Sequence, residues 1–289
     1  MTSQPAVRSD ETPTIAGAPT PAAAADRLAE RRIEARLALA EQTARVAVEM
    51  ETAPPVEVRP RTKLAVSVVI PCYNERDTIV EIVRRVQAVG VHHEIVIVDD
   101  FSTDGTRDLL LLLDEEPDVR VLMHGYNRGK GAALRTGFSA AIGDVVMIQD
   151  ADLEYDPNDL ARLLEPIERG DADVVYGSRF LGNPEQDPSR MHRFGNWLLT
   201  AASNLATGQQ LTDMETCYKV FRREVLDQIH VEQQRFGFEP EITAKVSRLG
   251  YRILELPIGY NSRGYDEGKK IGWRDAVNAF YCIAKYRGR

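Results

Sequence analysis

Short apolar runs alternate with amphipathic stretches along the chain from residue 66 to residue 176. The first run, residues 66–70 (VSVVI), is β-branched and is followed by Pro71. This pattern predicts a strand buried on both faces. The next apolar residues recur at helical spacing up to Gly90 and predict one amphipathic helix that a glycine ends. A second strand signature, residues 95–98 (IVIV), completes a strand, helix and strand unit, which is nearly always right-handed.

The same alternation continues downstream of the second strand. A Leu-rich helix is predicted after Gly105 and another helix after Gly129, each followed by a strand. The further predicted elements are strands at 119–123, 145–148 and 174–176 and a helix near 157–168. This order predicts an α/β fold with a mostly parallel sheet and helices on both faces. Ligands bind such sheets at the carboxyl ends of the strands. The segments to inspect are therefore residues 71–75, 99–105, 125–131 and 150–154.

The first 60 residues have a different composition. They contain 7 of the 15 prolines and no Phe, Tyr or Trp, so they offer little around which a core could pack. The chain is therefore divided into a low-complexity Ala/Pro-rich appendage, residues 1–60, and a domain formed by residues 61–289. Within the appendage, residues 26–51 are rich in Ala, Arg, Glu and Leu, which favours a solvated or partner-docked helix.

The overall composition limits the classes of protein to which the chain can belong. The 289 residues are 43% hydrophobic and 28% charged, with a formal net charge of −8, which is typical of a soluble globular protein. The acidic balance argues against a nucleic-acid partner held by a broad basic face. Three cysteines without a CxxC pair exclude a disulfide scaffold and favour a reducing, cytoplasmic setting. No apolar stretch is long enough to span a bilayer, so any membrane contact would be peripheral, at the inner face of the cell membrane.

Two carboxylates, Asp150 and Asp152, directly follow the apolar run at 145–148. Carboxylate oxygens at a strand end are ligands of the hard type that Mg²⁺ or Mn²⁺ prefers, and a pair of them leaves coordination positions for a diphosphate. The alternative is that both aspartates are solvated and cap the helix that follows. Their position at the end of the fourth predicted strand favours the metal site.

Two further strand ends carry polar residues. After the second strand, residues 102–104 are good capping residues for the next helix. The adjacent carboxylates of Asp99 and Asp100 would repel each other unless a hydrogen-bond donor or a ligand group pairs with one of them. After the first strand, the aromatic ring and the carboxylate in residues 71–75 (PCYNE) could hold a nucleobase and ribose. Alternatively, this segment only caps the following helix.

A glycine-rich segment, residues 125–131 (GYNRGKG), precedes the predicted fourth helix-forming stretch. A Walker phosphate loop needs four residues between its glycines and a Ser or Thr after the lysine. Neither condition is met, which excludes the P-loop ATPase interpretation. The segment remains a candidate anion site at a helix start.

Taken together, these strand-end motifs resemble the family 2 inverting glycosyltransferases, in particular the dolichol-phosphate mannosyltransferase and polyprenyl-phosphate glycosyltransferase branch. The motifs that carry the resemblance are residues 71–75, 98–106, 150–152 and 177–179, in the order that the family has them. The resemblance covers residues 66–287 and implies a GT-A fold. It implies a metal-dependent, inverting transfer of a hexose from a nucleotide sugar of the GDP-mannose or UDP-glucose class.

The resemblance also implies roles for individual residues. Asp150 and Asp152 would bind Mg²⁺ or Mn²⁺, with Glu154 as an additional ligand. Arg179 matches a basic residue near the diphosphate and the acceptor phosphate. The positions that match those holding the nucleotide are Pro71, Tyr73, Glu75, Val98, Asp100 and Ala151. The positions that match the late basic loop closing over the donor are Arg263 and Lys269.

The acceptor is the least determined part of this interpretation. The resemblance favours a polyprenyl phosphate, which is already an anion and needs no protein base. A sugar hydroxyl of a soluble glycan or polysaccharide is the alternative, and its proton would need a carboxylate, for which Asp213 or Glu215 is the candidate. The stretch 212–217 (TDMETC) departs from the pattern of the dolichol branch and leaves the acceptor open. A non-catalytic nucleotide-sugar sensor is a further alternative.

Two stretches near the end of the chain have apolar residues at helical spacing. They are residues 190–207 and residues 273–284, and basic residues follow the second. Either helix could rest in a membrane interface, where aromatic and basic residues are favoured. Either could equally pack on its own domain.

Overall fold

The computed structural model describes residues 21–52, 64–182, 189–261 and 273–287. The strands in these ranges are β1 (Val66–Cys72), β2 (Glu94–Asp99), β3 (Val119–Met123), β4 (Val145–Ile148), β5 (Val174–Ser178), β6 (Lys219–Arg222) and β7 (Ile253–Pro257). The helices in these ranges are α1 (Pro21–Thr52), α2 (Ile79–Val89), α3 (Thr106–Leu113), α4 (Lys130–Ala140), α5 (Asp159–Arg169), α6 (Arg190–Thr207), α7 (Arg223–Leu226), α8 (Phe238–Arg248) and α9 (Trp273–Tyr286).

The seven strands form one sheet in the order β3-β2-β1-β4-β6-β5-β7. Strand β1 is parallel to β2 and to β4, β2 is parallel to β3, and β5 is parallel to β7. Strand β6 lies antiparallel between β4 and β5. The prediction of a mostly parallel α/β sheet is therefore confirmed, while the antiparallel insertion of β6 was not predicted.

The central strands are buried along nearly their whole length, as expected for a sheet with helices on both faces. Every residue of β2 and β4 is buried, and in β1 only Pro71 is partly exposed. Helix α2 turns its Ile and Val residues into this core, and Gly90 ends it in the left-handed conformation with φ of +71°. The elements predicted from periodicity between residues 66 and 176 are all present.

Helix α1 confirms the helix predicted within residues 26–51 and packs on α2 and α3. Ala35 and Val46 are its buried apolar residues. Arg45 donates to Glu81 of α2 at 2.9 Å, and Arg31 donates to Asp108 of α3 at 2.7 Å. The helix is thus attached to one face of the sheet domain by a few small apolar contacts and by ion pairs.

Helices α6, α8 and α9 pack on one another. Helix α6 turns polar residues inward, since Asn196, Thr200 and Ser203 are its buried residues. Large apolar side chains on α6 and α9 remain exposed, among them Trp197 at 61% and Tyr281 at 60%. None of the helices in the described ranges has the length and apolarity to cross a membrane.

Candidate active site

The loops that follow β1, β2 and β4 open into one cleft at the carboxyl ends of these strands. The three strands are parallel neighbours, so their carboxyl ends lie at the same edge of the sheet. The sequence-predicted residues that line the cleft are Pro71, Tyr73, Glu75, Asp100, Asp150, Ala151 and Asp152. Residues far apart in the chain are thus brought together as the strand-end argument predicts.

Backbone strain is concentrated in the same three loops. Among the described residues, the non-glycine residues with positive φ are Asn74, Phe101 and Leu153, at +56°, +72° and +60°. They follow β1, β2 and β4 respectively. Non-glycine residues in this conformation cluster at ligand-binding sites, where the surrounding structure must hold them.

Asp100 fixes the glycine-rich segment 125–131 in place. Its Oδ1 accepts from the backbone N–H of Arg128 at 2.8 Å, and its Oδ2 accepts from that of Gly129 at 2.6 Å. His124 Nδ1 lies 2.7 Å from Asp100 Oδ1. Two of the amides proposed to bind an anion therefore already bind a carboxylate of the protein.

The neighbouring Asp99 is buried and is compensated within the protein. Arg107 Nε donates to its Oδ2 at 2.6 Å, and the N–H of Ser102 donates to both oxygens at 3.2 Å. The adjacent acids Asp99 and Asp100 thus have separate partners, and no ligand is needed to relieve their repulsion. Val98 lies fully buried in β2 and does not line the cleft.

Asp150 carries an ion pair with Lys130, the first residue of α4. Lys130 Nζ lies 2.9 Å from Oδ1 and 3.0 Å from Oδ2 of Asp150. Burial by itself would lower the pKa of Lys130, but the charge of Asp150 raises this pKa well above its usual value. The ammonium therefore stays protonated beside the carboxylate.

Asp152 and Glu154 lie on the loop that continues from Asp150. Asp152 Oδ1 accepts from the N–H of Glu154 at 3.2 Å. The carboxylate of Glu154 accepts from the hydroxyl of Tyr260 at 3.3 Å, and its carbonyl accepts from the N–H of Asn261 at 2.9 Å. The loop after β4 is thus anchored to the segment after β7.

Arg179, which follows β5, is buried against Asp213. Its Nε and Nη2 donate to the two carboxylate oxygens of Asp213 at 2.7 and 2.8 Å, and its backbone N–H donates to the same group at 3.1 Å. The guanidinium also packs on the rings of Phe180 and Tyr260, and Nη2 reaches Asn196 Oδ1 of α6 at 3.4 Å. These contacts fix the orientation of Arg179, and they occupy both oxygens of Asp213.

The carboxyl group of Glu215 has a pKa far from the usual value of a glutamate. Burial, followed by the nearby charge of Glu239, raises the pKa of Glu215 to about 8. Within the described part of the chain, no donor reaches its buried Oε1. A carboxyl group whose pKa is raised in this way keeps its proton to a higher pH than an exposed glutamate does.

Comparisons with known proteins agree with this architecture. The sequence profile described as "Glycosyl transferase family 2" matches residues 67–230. The chain belongs to glycosyl transferase family 2. This glycosyltransferase is 31% identical over 217 residues to an undecaprenyl-phosphate mannosyltransferase of Micrococcus luteus, covering 72% of this chain and 88% of that protein. It is 33% identical over 219 residues to an undecaprenyl-phosphate 4-deoxy-4-formamido-L-arabinose transferase of Pseudomonas fluorescens. That match covers 73% of this chain but spans only 62% of the relative.

A solved structure has the same fold. The crystal structure of glucosyl-3-phosphoglycerate synthase from Mycobacterium tuberculosis superposes with a TM-score of 0.63 at 21% identity, covering 78% of this chain and 81% of that chain. The predicted GT-A fold of this glycosyltransferase is thereby confirmed. A further crystal structure of that synthase contains Mn²⁺ and UDP-glucose.

The donor set of the glycosyltransferase suits a divalent cation whose coordination is completed by substrate. Within the described ranges, no group of three or more His, Cys, Asp or Glu side chains is arranged to hold a metal ion by itself. Mg²⁺, however, is usually bound by one or two carboxylates together with substrate phosphates and water. Asp150 and Asp152 in one cleft fit that mode of binding.

Other residues named from the sequence lie elsewhere. Glu154, Arg179, Asp213 and Glu215 do not line this cleft, although Tyr260 contacts both Glu154 and Arg179. Arg263 and Lys269 lie outside the described residues.

Some cleft residues of the glycosyltransferase were given no role of their own from the sequence. Four of them lie in the segments 71–75 and 125–131 that the sequence singled out, namely Cys72, Asn127, Gly129 and Lys130. Three lie outside every segment singled out from the sequence, namely Ala133, Arg235 and Phe236. Lys130 carried a usable signal, because it stands between two glycines at a predicted helix start. A Cβ atom on Gly129 or Gly131 would collide with the carbonyl of Gln234 or Gln233. The two glycines therefore allow the segment 233–236 to form one wall of the cleft. No pattern among neighbouring residues in the sequence predicts this contact.

Proposed function

We propose that this glycosyltransferase transfers a hexose from a nucleotide sugar to a polyprenyl-phosphate acceptor, with inversion at the sugar carbon and with the help of Mg²⁺ or Mn²⁺. The observation that carries the proposal is the single cleft shared by Tyr73, Asp100, Asp150 and Asp152. An aromatic side chain and three carboxylates at the carboxyl ends of parallel strands suit a nucleotide that carries a metal-bound diphosphate.

The nucleoside would bind between the loops after β1 and β2. Tyr73 is 40% exposed, so its ring is accessible to a base, and Glu75 in the same cleft can accept from ribose hydroxyls. Pro71 and Ala151 contribute small apolar surfaces beside them. The donor class is GDP-mannose or UDP-glucose. Val98 would act indirectly, as the buried residue that sets the position of the β2 loop.

A divalent cation would be held by Asp150 and Asp152. Glu154, which lies outside the cleft and accepts from Tyr260 in this structure, would have to turn away from Tyr260 to serve as an additional ligand. When bound, such a cation stabilises the negative charge that grows on the departing nucleoside diphosphate. The protein itself keeps the carboxylates at one edge of the sheet, and in this structure Lys130 places a positive charge beside Asp150. Arg263 and Lys269 are proposed to close over the donor and exclude water.

The acceptor phosphate would be oriented by Arg179. Inversion requires that the acceptor attack the sugar from the side opposite the diphosphate. A phosphate monoester is already ionised at neutral pH, so no protein base has to remove a proton. The bidentate pair with Asp213 keeps the guanidinium in one orientation, and Asp213 is thus proposed to position Arg179.

A lipid-linked acceptor is supported by the names of the relatives and by the surface of α6. Two of these relatives are named as transferases that act on undecaprenyl phosphate. Helix α6 exposes large apolar side chains, and its Asn196 contacts Arg179. The most exposed apolar residues of α6 are Met191, Phe194, Trp197 and Leu205. An apolar helix surface joined to the acceptor arginine suits a substrate with its phosphate in the protein and its chain in a bilayer.

This surface implies peripheral contact with a membrane. We propose that α6 and α9 rest on the cytoplasmic face of the cell membrane, with aromatic residues in the interface. Phe194 and Trp197 stack with their ring centroids 5.9 Å apart, and Arg190 and Arg193 lie on the same helix. Aromatic and basic residues together favour binding to anionic lipid surfaces.

The direct test is transfer by the purified full-length protein. Labelled GDP-mannose and UDP-glucose are each incubated with undecaprenyl phosphate and Mn²⁺, and the organic-extractable label is measured. The proposal expects lipid-linked sugar with one of the two donors and none from the D152N variant. Product that is only water-soluble would overturn the lipid acceptor. Donor binding without any turnover, unchanged in D152A, would favour a nucleotide-sugar sensor.

A sugar hydroxyl of a soluble glycan or polysaccharide is the second candidate acceptor. It is favoured by one observation: no donor in the described part of the chain reaches the buried Oε1 of Glu215. In its ionised form this carboxyl group could accept a proton from a hydroxyl, and burial raises its pKa. Asp213 is less suited to that role because Arg179 engages both of its oxygens. Loss of transfer to every acceptor in E215Q, with donor binding retained, would favour a hydroxyl acceptor.

A further inference from the structure

Lys130 has a second carboxylate within reach besides Asp150. Glu239, in the first turn of α8, has its Oε1 3.7 Å from Lys130 Nζ. The Glu239 side chain is 5% exposed, and the Lys130 side chain is 12% exposed. In the part of the chain that the structure describes, no hydrogen-bond donor reaches Glu239 Oε2. The charge of Glu239 also acts on the buried ammonium of Lys219, but a buried carboxylate oxygen that no donor reaches is incompletely stabilised.

The ammonium of Lys130 occupies the oxygens that a divalent cation would need. It lies within 3.0 Å of both oxygens of Asp150. A cation bound to the same oxygens would be close to this ammonium, and two neighbouring positive charges repel strongly in a partly buried site. A lysine that could not move would therefore weaken metal binding. Glu239 offers the alternative position, because a displacement of about 1 Å toward it would bring Nζ to hydrogen-bond distance.

We propose that Lys130 exchanges partners, from Asp150 in the metal-free protein to Glu239 when the divalent cation and the nucleotide sugar bind. Lys130 and Glu239 are then positioning residues, since they act on the metal through Asp150. In the metal-free protein the ammonium keeps Asp150 from being an uncompensated charge. In the loaded protein it compensates Glu239 and leaves Asp150 to the cation. This inference rests on the proposed function in assuming a cation at Asp150 and Asp152.

The test is Mn²⁺ binding by the full chain, measured from the electron paramagnetic resonance signal of free Mn²⁺, with and without UDP or GDP. K130M removes the competing charge and is expected to bind Mn²⁺ about tenfold more tightly without nucleotide. E239Q removes the alternative partner and is expected to bind Mn²⁺ about tenfold more weakly. The double variant is expected to bind like K130M, because Glu239 acts only through Lys130.

Matched variants separate this exchange from general effects of substitution. K130R keeps the positive charge and should bind Mn²⁺ like the wild type. Lys245 is a second lysine with little exposure, paired with Glu241 at 2.6 Å and Glu232 at 2.9 Å, and it does not line the cleft. K245M should leave Mn²⁺ binding unchanged, and urea denaturation would report the stability of each variant.

Three results would overturn the exchange. The first is a loss of Mn²⁺ affinity on E239Q substitution that is equally large in the wild type and in the K130M background. The second is a K130R variant that binds Mn²⁺ as tightly as K130M does. The third is weakened Mn²⁺ binding in K245M, which would assign the effects to destabilisation. Mn²⁺ binding that is lost in D152N but equal in wild type, K130M and E239Q refutes the exchange alone. Binding that is equal in wild type and D152N, with nucleotide present, refutes both the exchange and the metal role in the proposed function.

Discussion

Asp150 and Asp152 are two residues apart, but their surroundings differ. Both line the cleft, yet only Asp150 is paired with Lys130, whereas Asp152 receives the N–H of Glu154 within its own loop. Under the proposed function, neutralising Asp152 removes a metal ligand, whereas its bond from the Glu154 N–H needs only an oxygen acceptor, which an amide also provides. Neutralising Asp150 also leaves Lys130 without its main partner.

We therefore expect D150N and D152N to lose activity alike but to differ in stability. Loss of a ligand to a cation worth several kcal/mol in the transition state lowers turnover by about 10²- to 10⁴-fold. D150N should in addition lower the free energy of unfolding by about 1–2 kcal/mol, while D152N should not. Initial rates and urea denaturation measure the two effects. D156N, in the exposed part of the same loop, is the control and should match the wild type; equal stability of D150N and D152N would contradict the difference.

The raised pKa of Glu215 is expected to make the free energy of unfolding decrease as the pH rises. Burial raises the pKa of Glu215 from 4.5 to about 8 in the folded protein. Between these values the folded protein retains a proton that the unfolded chain has lost, so the free energy of unfolding falls as pH rises from about 5 to 8.

E215Q cannot lose this proton, so its stability relative to the wild type is expected to increase over the same pH range. Urea denaturation of both proteins at pH 5, 6, 7 and 8 measures the difference. A difference that does not change with pH would show that Glu215 is already ionised in the folded protein at pH 5.

At the scale of elements, α6 reverses the usual orientation of a surface helix. Its buried residues are polar, and the hydroxyl of Thr200 accepts from the N–H of Met214 at 3.1 Å. Its exposed residues include Phe194 at 62% and Trp197 at 61%. Periodicity predicted this helix but could not decide which side faces outward, because that depends on the polar groups of the 211–216 segment.

The exposed face of α6 should bind lipid vesicles. F194E/W197E is expected to reduce co-sedimentation with vesicles of phosphatidylglycerol and phosphatidylcholine at least about tenfold, because it places two charges where aromatic rings would enter the interface. Transfer to a short-chain, water-soluble prenyl phosphate should be unchanged. I142E is the control, since Ile142 is 68% exposed but precedes β4 at the opposite edge of the sheet. Equal vesicle binding by all three proteins would contradict the proposed membrane contact.

The predictable elements are those whose signal is local. Helix α2 and strand β1 carry clear apolar periodicity and were placed to within two residues at each end. Strand β6 has four residues, and β7 has half-buried and exposed positions without regular alternation. Their strand conformation comes from pairing with β4 and β5, which periodicity along the chain does not report.

At the scale of the whole molecule, α1 joins the appendage to the glycosyltransferase domain. The division at residue 60 remains a proposal, and its test follows from the contacts. Val46 is 1% exposed, and the Arg45 ion pair reaches Glu81, whose side chain is 6% exposed. Gln42 also donates to the carbonyl of Arg76, next to Glu75 in the cleft, at 3.2 Å.

Deletion of residues 1–60 is expected to lower the melting temperature by about 5 °C while leaving the KM for the donor within about twofold. The reason is that α1 adds buried contacts on α2 and α3 but contributes no residue that lines the cleft. V46D in the full chain should reproduce the loss of stability by burying a charge. A collapse of donor binding in the truncated protein would show that the appendage is integral to the domain.

The amino-acid sequence by itself determined the α/β class, the strand ends that carry polar residues and part of the group of residues that lines the cleft. This was possible because burial patterns are local and because parallel strands must present their carboxyl ends at one edge. Only the tertiary structure decided that β6 enters the sheet antiparallel, that Arg179 is held by Asp213, and that Lys130 faces both Asp150 and Glu239. These outcomes depend on which distant segments pack together, and the electrostatic environment of a charged side chain is set by such neighbours rather than by adjacent residues in the chain.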